Sequence, residues 1–159
     1  MNNSSIGRAG FIDVETTGLK YDDEIIELAI SVFKFDWKQG DILEIEDEYV
    51  GLREPENKIH PQAQNVHGIL PEQLQGKQLD QERVNQLLDK SELLVAHNAS
   101  FDRRFVKQLF PRVQQIPWLC SMSNISWKSK GFRSRGLQQL LYDHNISPQQ
   151  AHRALADVH

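Results

Sequence analysis

Thiols are almost missing from this chain: of 159 residues, only Cys120 is a cysteine. A lone thiol closes no internal disulfide and leaves a zinc cluster short of ligands, which fits a reducing, cytoplasmic setting. Long apolar runs are missing too, and none approaches the ~20 residues that a membrane-spanning helix needs. The opening segment MNNSSIGRAG is polar and has no apolar stretch, so residues 1–8 are expected to form a flexible tail and not a secretory leader. No repeat, low-complexity stretch or Gly/Ser linker divides the remainder, and residues 9–159 are expected to form one domain. There is no excess of positive charge: 18 bases against 22 acids leave a net charge of −4, whereas phosphate-binding surfaces are usually basic.

What is present is ordinary globular composition, 39% hydrophobic and 25% charged, in a chain long enough to bury roughly 70% of its unfolded surface in one core. AGFIDV, residues 9–14, is a short apolar run ended by the polar turn ETTGL, with Gly18 as the breaker. Glu24 to Phe35 alternates as a long strand, and Leu43 to Leu52 is its expected hairpin partner across Gly40-Asp41. Helical spacing then takes over at Leu79, Val84, Leu87 and Leu88. LLVA, residues 93–96, is a buried strand feeding a helix that carries Phe101, Phe105, Val106 and Leu109, with Asn98 or Ser100 as cap and Pro111 at its end. Trp118 to Ser121 suits a further strand, Leu137, Leu140 and Leu141 an amphipathic helix closing near Asn145, and a last helix begins near Ala151. Three meandering strands followed by two strand-helix units imply a three-layer α/β domain, a mixed five-stranded sheet flanked by helices.

Asp13 and Glu15 are two apart at a strand end, so both side chains emerge on one face while Val14 turns into the core. Their mutual repulsion is relieved by a hard divalent cation, magnesium or manganese, although a solvated acidic turn is the rival reading. Asp102 falls in a helix's first turn, where a carboxylate also serves simply to offset the dipole. His97 and Asn98 lie where a strand's carboxyl end meets a helix, the usual place for ligand contacts in open sheets; His97 could equally be a satisfied core histidine. His152 and Asp157 are five apart and point roughly 140° away from each other on one continuous helix. A shared site therefore needs His152 at the helix start, and the rival places Ser147 as the cap with His152 exposed. The run WKSKGFRSRG, residues 127–136, interleaves Lys128, Lys130, Arg133 and Arg135 with Trp127 and Phe132, a composition suited to phosphate contacts and base stacking or to a solvated loop.

FIDVETTGL at 11–19, VAHNASFDRRF at 95–105 and AHRALADV at 151–158 together resemble, in order and spacing, the three motifs of the DEDDh family of 3′-to-5′ exonucleases. The resemblance implies a ribonuclease H-like fold in which Asp13, Glu15, Asp102 and Asp157 organise two divalent metal ions, Mg²⁺ or Mn²⁺, with His152 as general base. It also implies that Thr16, Thr17, Gly18 and Leu19 hold the terminal nucleotide, Leu19 wedged against its base. NVHGIL at 65–70 resembles the segment that closes over that nucleotide and nominates His67 as a substrate contact; Phe101 joins as a stacking residue, with core packing as its alternative. With four carboxylates neutralised by metal, 18 bases face 18 acids, and the net charge no longer opposes a nucleic-acid partner. The implied activity is release of nucleoside monophosphates from single-stranded DNA 3′ ends, alone or beside a DNA polymerase or another replication or repair protein. The alternatives are a 3′-to-5′ exoribonuclease of the same family, or a non-catalytic domain that binds nucleic acid or a polymerase. Members of the family continue their last helix past the final aspartate, whereas this chain stops at His159, so the helix carrying Asp157 is expected to be cut short.

Overall fold

A computed structural model describes residues 5–147. Five strands form one sheet in the order β3-β2-β1-β4-β5: β1 (Ile6–Thr16), β2 (Ile25–Asp36), β3 (Ile42–Leu52), β4 (Leu93–Ala96) and β5 (Trp118–Cys120). The first three form an antiparallel meander, and β4 and β5 add parallel to β1 on its other side. The sheet is thus mixed and five-stranded, as the alternation followed by strand-helix units predicts. β1 begins at Ile6, three residues before the expected start, because Ile6, Gly7 and Arg8 pair with Asp36, Phe35 and Lys34; the paired backbone takes these residues out of the expected tail. The β2–β3 turn closes at Gly40, whose φ of 76° is one a side chain would resist.

The first nine residues of β2 are all buried, which explains why its apolar run is nearly continuous. On one face, Ile12, Val14, Leu28, Ile30 and Val32 pack against Val84, Leu87 and Leu88 of α3 (Gln81–Lys90) and Phe105 and Val106 of α4 (Ala99–Leu109). The opposite face carries Phe11 stacked on Phe33, with ring centroids 4.6 Å apart, and the row continues through Phe35 to Trp37. Leu137 and Leu140 of α5 (Leu137–Asp143) share a 380 Å³ cavity with Phe11 and Asp13 on that side.

Two short helices escape the periodicity: α1 (Pro61–His67) and α2 (Pro71–Leu74) each start on a proline, where the missing N–H costs nothing. They are too short to show an apolar face, yet Ile69 and Leu74 close a small second core with Ile26. Asn98 stands at the start of α4 as expected but makes no side-chain cap; its backbone is left-handed at φ 72°, a conformation asparagine tolerates. The expected last helix from Ala151, and with it His152 and Asp157, lies outside the described residues.

Candidate active site

β1 delivers the acidic pair. Burial alternates along the strand, so that Phe11, Asp13 and Glu15 share its partly exposed face while Ile12 and Val14 are sealed in the core. Pairing of β1 with β4 stops at Phe11, and beyond it the Val14 N–H donates to the Asp102 carboxylate at 3.1 Å. Asp102 is 1% exposed. Burial first, then the nearby Asp13 charge and more weakly that of Glu15, push its carboxyl well above the ordinary aspartate range, against the pull of the Val14 N–H. The strand end and the helix start thus bring three carboxylates to mutual influence. Among the described residues no group of three or more His, Cys, Asp or Glu side chains is gathered tightly enough to hold an ion by itself.

Beside this pair opens a cleft of 510 Å³, lined by Glu15, Thr16, Gly18, Leu19, His67 and Phe101 among others. Six of the sequence-nominated residues therefore meet in one place. Leu19 is 76% exposed at its edge, an apolar side chain held out toward whatever fills the cleft. His67 closes α1 and is buried. The Ile69 N–H donates to its Nδ1 at 3.0 Å, so Nε2 carries the hydrogen and donates to the Thr16 carbonyl at 3.2 Å. Its ring lines the cleft while Nε2 ties the α1 end to β1 and Nδ1 fastens the chain just beyond the helix. Phe101 lines the cleft and packs on Phe105 at 4.9 Å.

Three nominees stand elsewhere. Thr17 is wholly buried; its hydroxyl donates to Asp23 at 2.9 Å and accepts from the Glu24 N–H at 3.0 Å, so it secures the turn and does not line the cleft. His97 bonds Ser121 Oγ at 2.9 Å and the Arg135 carbonyl at 2.6 Å, tying the end of β4 to the basic loop. Asn98 lines a different cavity, on the flank of α4. Trp127 and Phe132 are not presented singly for stacking: they pack on each other at 5.6 Å and both contact the His144 ring.

Sequence reasoning misses Asp23 and His60, and reads Arg104 only as one of three cations after Asp102 that add to a nucleic-acid path or serve surface solubility. Burial would push the Asp23 carboxyl up, but the Lys20 N–H, the Thr17 hydroxyl and the His60 ring together hold it below its usual value. A Cβ on Gly18 would lie 2.5 Å from Asp23 Oδ2 and collide with the His60 ring, so any side chain here would have to displace Asp23 or His60. Arg104 donates to the Leu19 carbonyl at 2.7 Å and lies over the Tyr21, Phe101 and Phe105 rings. The proline after His60 is the available sign of a helix start, Arg104 stands out only as part of the basic run after Asp102, and Asp23 carries no local signal. Cys120 accepts from the Ala99 N–H at 3.4 Å; burial opposes ionisation, but bonds from Ser123, Ala99 and Met122 bring its thiol down to about 7.

Acidic residues at a central strand's end, a buried aspartate from the following strand-helix unit and an adjoining cleft, all on a mixed five-stranded sheet, define a ribonuclease H-like hydrolase domain. The exonuclease family RNase_T matches residues 11–159, and the chain belongs to it, in the DEDDh class of 3′-to-5′ exonucleases that its motifs resemble. It is similar to the PolC-type DNA polymerase III of Thermotoga maritima, 32% identical over 166 residues, covering 99% of this chain and 12% of that protein. The Listeria innocua protein of the same description is 30% identical over 153 residues, covering 92% of this chain and 10% of the relative; the chain therefore spans about a tenth of the polymerases it matches. Among solved structures, exonuclease X in complex with 5′ overhanging duplex DNA superposes with a TM-score of 0.66 at 28% identity, over 94% of this chain and 84% of that one. Escherichia coli exonuclease I in complex with a dT13 oligonucleotide shares the fold, with a TM-score of 0.74 at 18% identity over 96% and 39% of the two chains. No described helix is long and apolar enough to cross a membrane.

Proposed function

We propose that this chain is a divalent-metal-dependent 3′-to-5′ exonuclease that removes nucleoside monophosphates from single-stranded DNA ends, working in the cytoplasm in the company of a replicative polymerase or a related replication or repair protein. The observation that carries the reading is the junction of the carboxylate group with the 510 Å³ cleft, a volume within the range of roughly 300–1,000 Å³ typical of small-molecule sites. The donor set fits a hard cation: Asp13, Glu15 and Asp102 offer only carboxylate oxygens, and the upward push on Asp102 by Asp13 and Glu15 is the repulsion that a cation relieves. Asp157 completes the proposed set. Bound Mg²⁺ or Mn²⁺, two ions in this reading, supplies charge neutralisation and Lewis acidity at the phosphodiester.

The chain's own residues do the rest. Leu19 and Phe101 bracket the terminal base, and the Thr16–Gly18 turn, braced by Asp23 and His60, presents backbone to the sugar. His152 takes the proton of the attacking water as its oxygen bonds to phosphorus; the bond from phosphorus to the 3′ oxygen of the preceding nucleotide breaks, and that oxygen gains a proton from solvent. A 5′-labelled DNA oligomer incubated with Mg²⁺ or Mn²⁺ is expected to shorten stepwise from its 3′ end, and Asp13→Ala or EDTA to abolish the ladder. An RNA oligomer degraded faster than DNA would replace the substrate assignment, and no shortening of either would overturn the activity.

A further inference from the structure

On the far flank of α4 from the core runs a second groove, formed by a cavity of 650 Å³ and a neighbouring one of 540 Å³ that share Met122, Ser123 and Arg135. Arg103, Arg104 and Lys107 line it from α4, and Lys128, Arg133 and Arg135 from the basic loop. The chain carries more acids than bases, yet among the described residues not one aspartate or glutamate lines either cavity. Among the described residues none of the six forms an ion pair, whereas Arg8, Lys34, Arg53, Arg83, Lys90 and Arg112 all do. Six cations gathered with no acid among their described neighbours repel one another, and a polyanion is the ligand that relieves them.

The groove is joined to the cleft. Arg104 lines the groove while donating to the carbonyl of Leu19, which lines the cleft, and Tyr21, 79% exposed, stands at the join with its ring against Arg104. We infer that this groove seats the single strand behind the terminal nucleotide, its phosphates on the α4 and loop cations and a base over Tyr21, a pattern of charge with stacking that binds single strands without reading sequence. The inference rests on the exonuclease reading for which end of the strand lies in the cleft. A strand anchored there gives long substrates an advantage that a trinucleotide lacks.

The test is binding of fluorescent dT12 and dT3 to the full chain in EDTA, across a salt series, for wild type and the triple variant R103Q/K107Q/R133Q. Expected are an approximately tenfold fall in the dT12-to-dT3 affinity ratio and a salt slope for dT12 shallower by about 2, at ~0.7 for each phosphate of a single strand that is no longer neutralised. An unchanged ratio and slope, equal losses on both oligomers, or displacement of dT12 by polyglutamate at equal charge concentration would each overturn it. The two readings fail separately. A wild type that shortens dT12 with Mg²⁺ while the variant binds unaltered sinks the groove alone; a wild type that binds dT12 through these cations but shortens neither DNA nor RNA sinks the exonuclease and leaves the groove.

Discussion

At the scale of single residues, Asp102 concentrates the conflict between folding and function. Its carboxyl is buried against the charges of Asp13 and Glu15 and titrates above the ordinary aspartate value of 3.8. The folded state therefore holds a proton that the unfolded chain has already shed, so metal-free stability falls as pH climbs from about 4 and stays reduced at neutral pH. Asp102→Asn keeps an oxygen for the Val14 N–H and removes the charge. Thermal melts in EDTA at pH 7.5 are expected to show the variant several degrees more stable than wild type, the gap closing toward pH 4, while its exonuclease activity is lost. A variant less stable than wild type at pH 7.5 would show that the charge costs the fold nothing. The role of Asp13 and Glu15 on one face follows from strand alternation alone, and Val14 is buried as that alternation requires. Thr17, equally part of the motif, turns inward to Asp23 and Glu24, because a turn residue's direction is set by partners outside the turn's own sequence.

At the scale of elements, β3 is held to α3 by Asp47, which pairs with Arg83 and with Lys90 at 2.7 Å. These bonds hold the Asp47 carboxyl far below its usual range, the Arg83 bond foremost. A depressed folded value means the stabilisation is present at neutral pH and is lost only as pH drops below the unfolded value of 3.8. Asp47→Asn should lower the melting temperature by a few degrees at pH 7, a modest effect because Arg83 and Lys90 are a third or more exposed and solvent screens them. The difference should shrink in acid; a constant offset down to pH 3 would point to altered packing. The elements with internal repeats of burial, β1, β4, α3 and α4, are legible because eleven or fewer residues carry their own period, and β2 is legible from its continuous apolar run. α1 and α2 are not, being one or two turns long, and their stability comes from Ile26, Ile69 and Leu74 meeting in the second core. Composition alone presents the aromatic residues of the basic loop for stacking, since nothing local shows that His144 covers them.

At the scale of the whole molecule, strand order 3-2-1-4-5 puts the carboxyl end of β1 beside the start of α4, so residues 13 and 102 in the sequence act as one group. A ligand that binds this group only in the folded chain stabilises it by mass action, about 2.7 kcal/mol at a hundredfold excess over Kd, which for a domain of this size is a rise of roughly 5–10 °C in Tm. Mn²⁺ titration by thermal shift should show such a rise in wild type and its loss in Asp13→Asn; an equal rise in both would place the cation elsewhere. By itself the sequence determined the order of the elements, the core faces of its longer strands and helices, and the three-motif pattern of the exonuclease family, because each rests on residues near one another in the chain. Only the tertiary structure decided that Thr16, Gly18, Leu19, His67 and Phe101 share a cleft while His97 and Asn98 do not, that Asp23, His60 and Arg104 brace it, and that cations from α4 and the 127–136 loop line one groove with no acid among its described residues. Those are relations between segments far apart in the chain, and burial and charge pairing over such separations are fixed when the sheet closes, not by any local pattern.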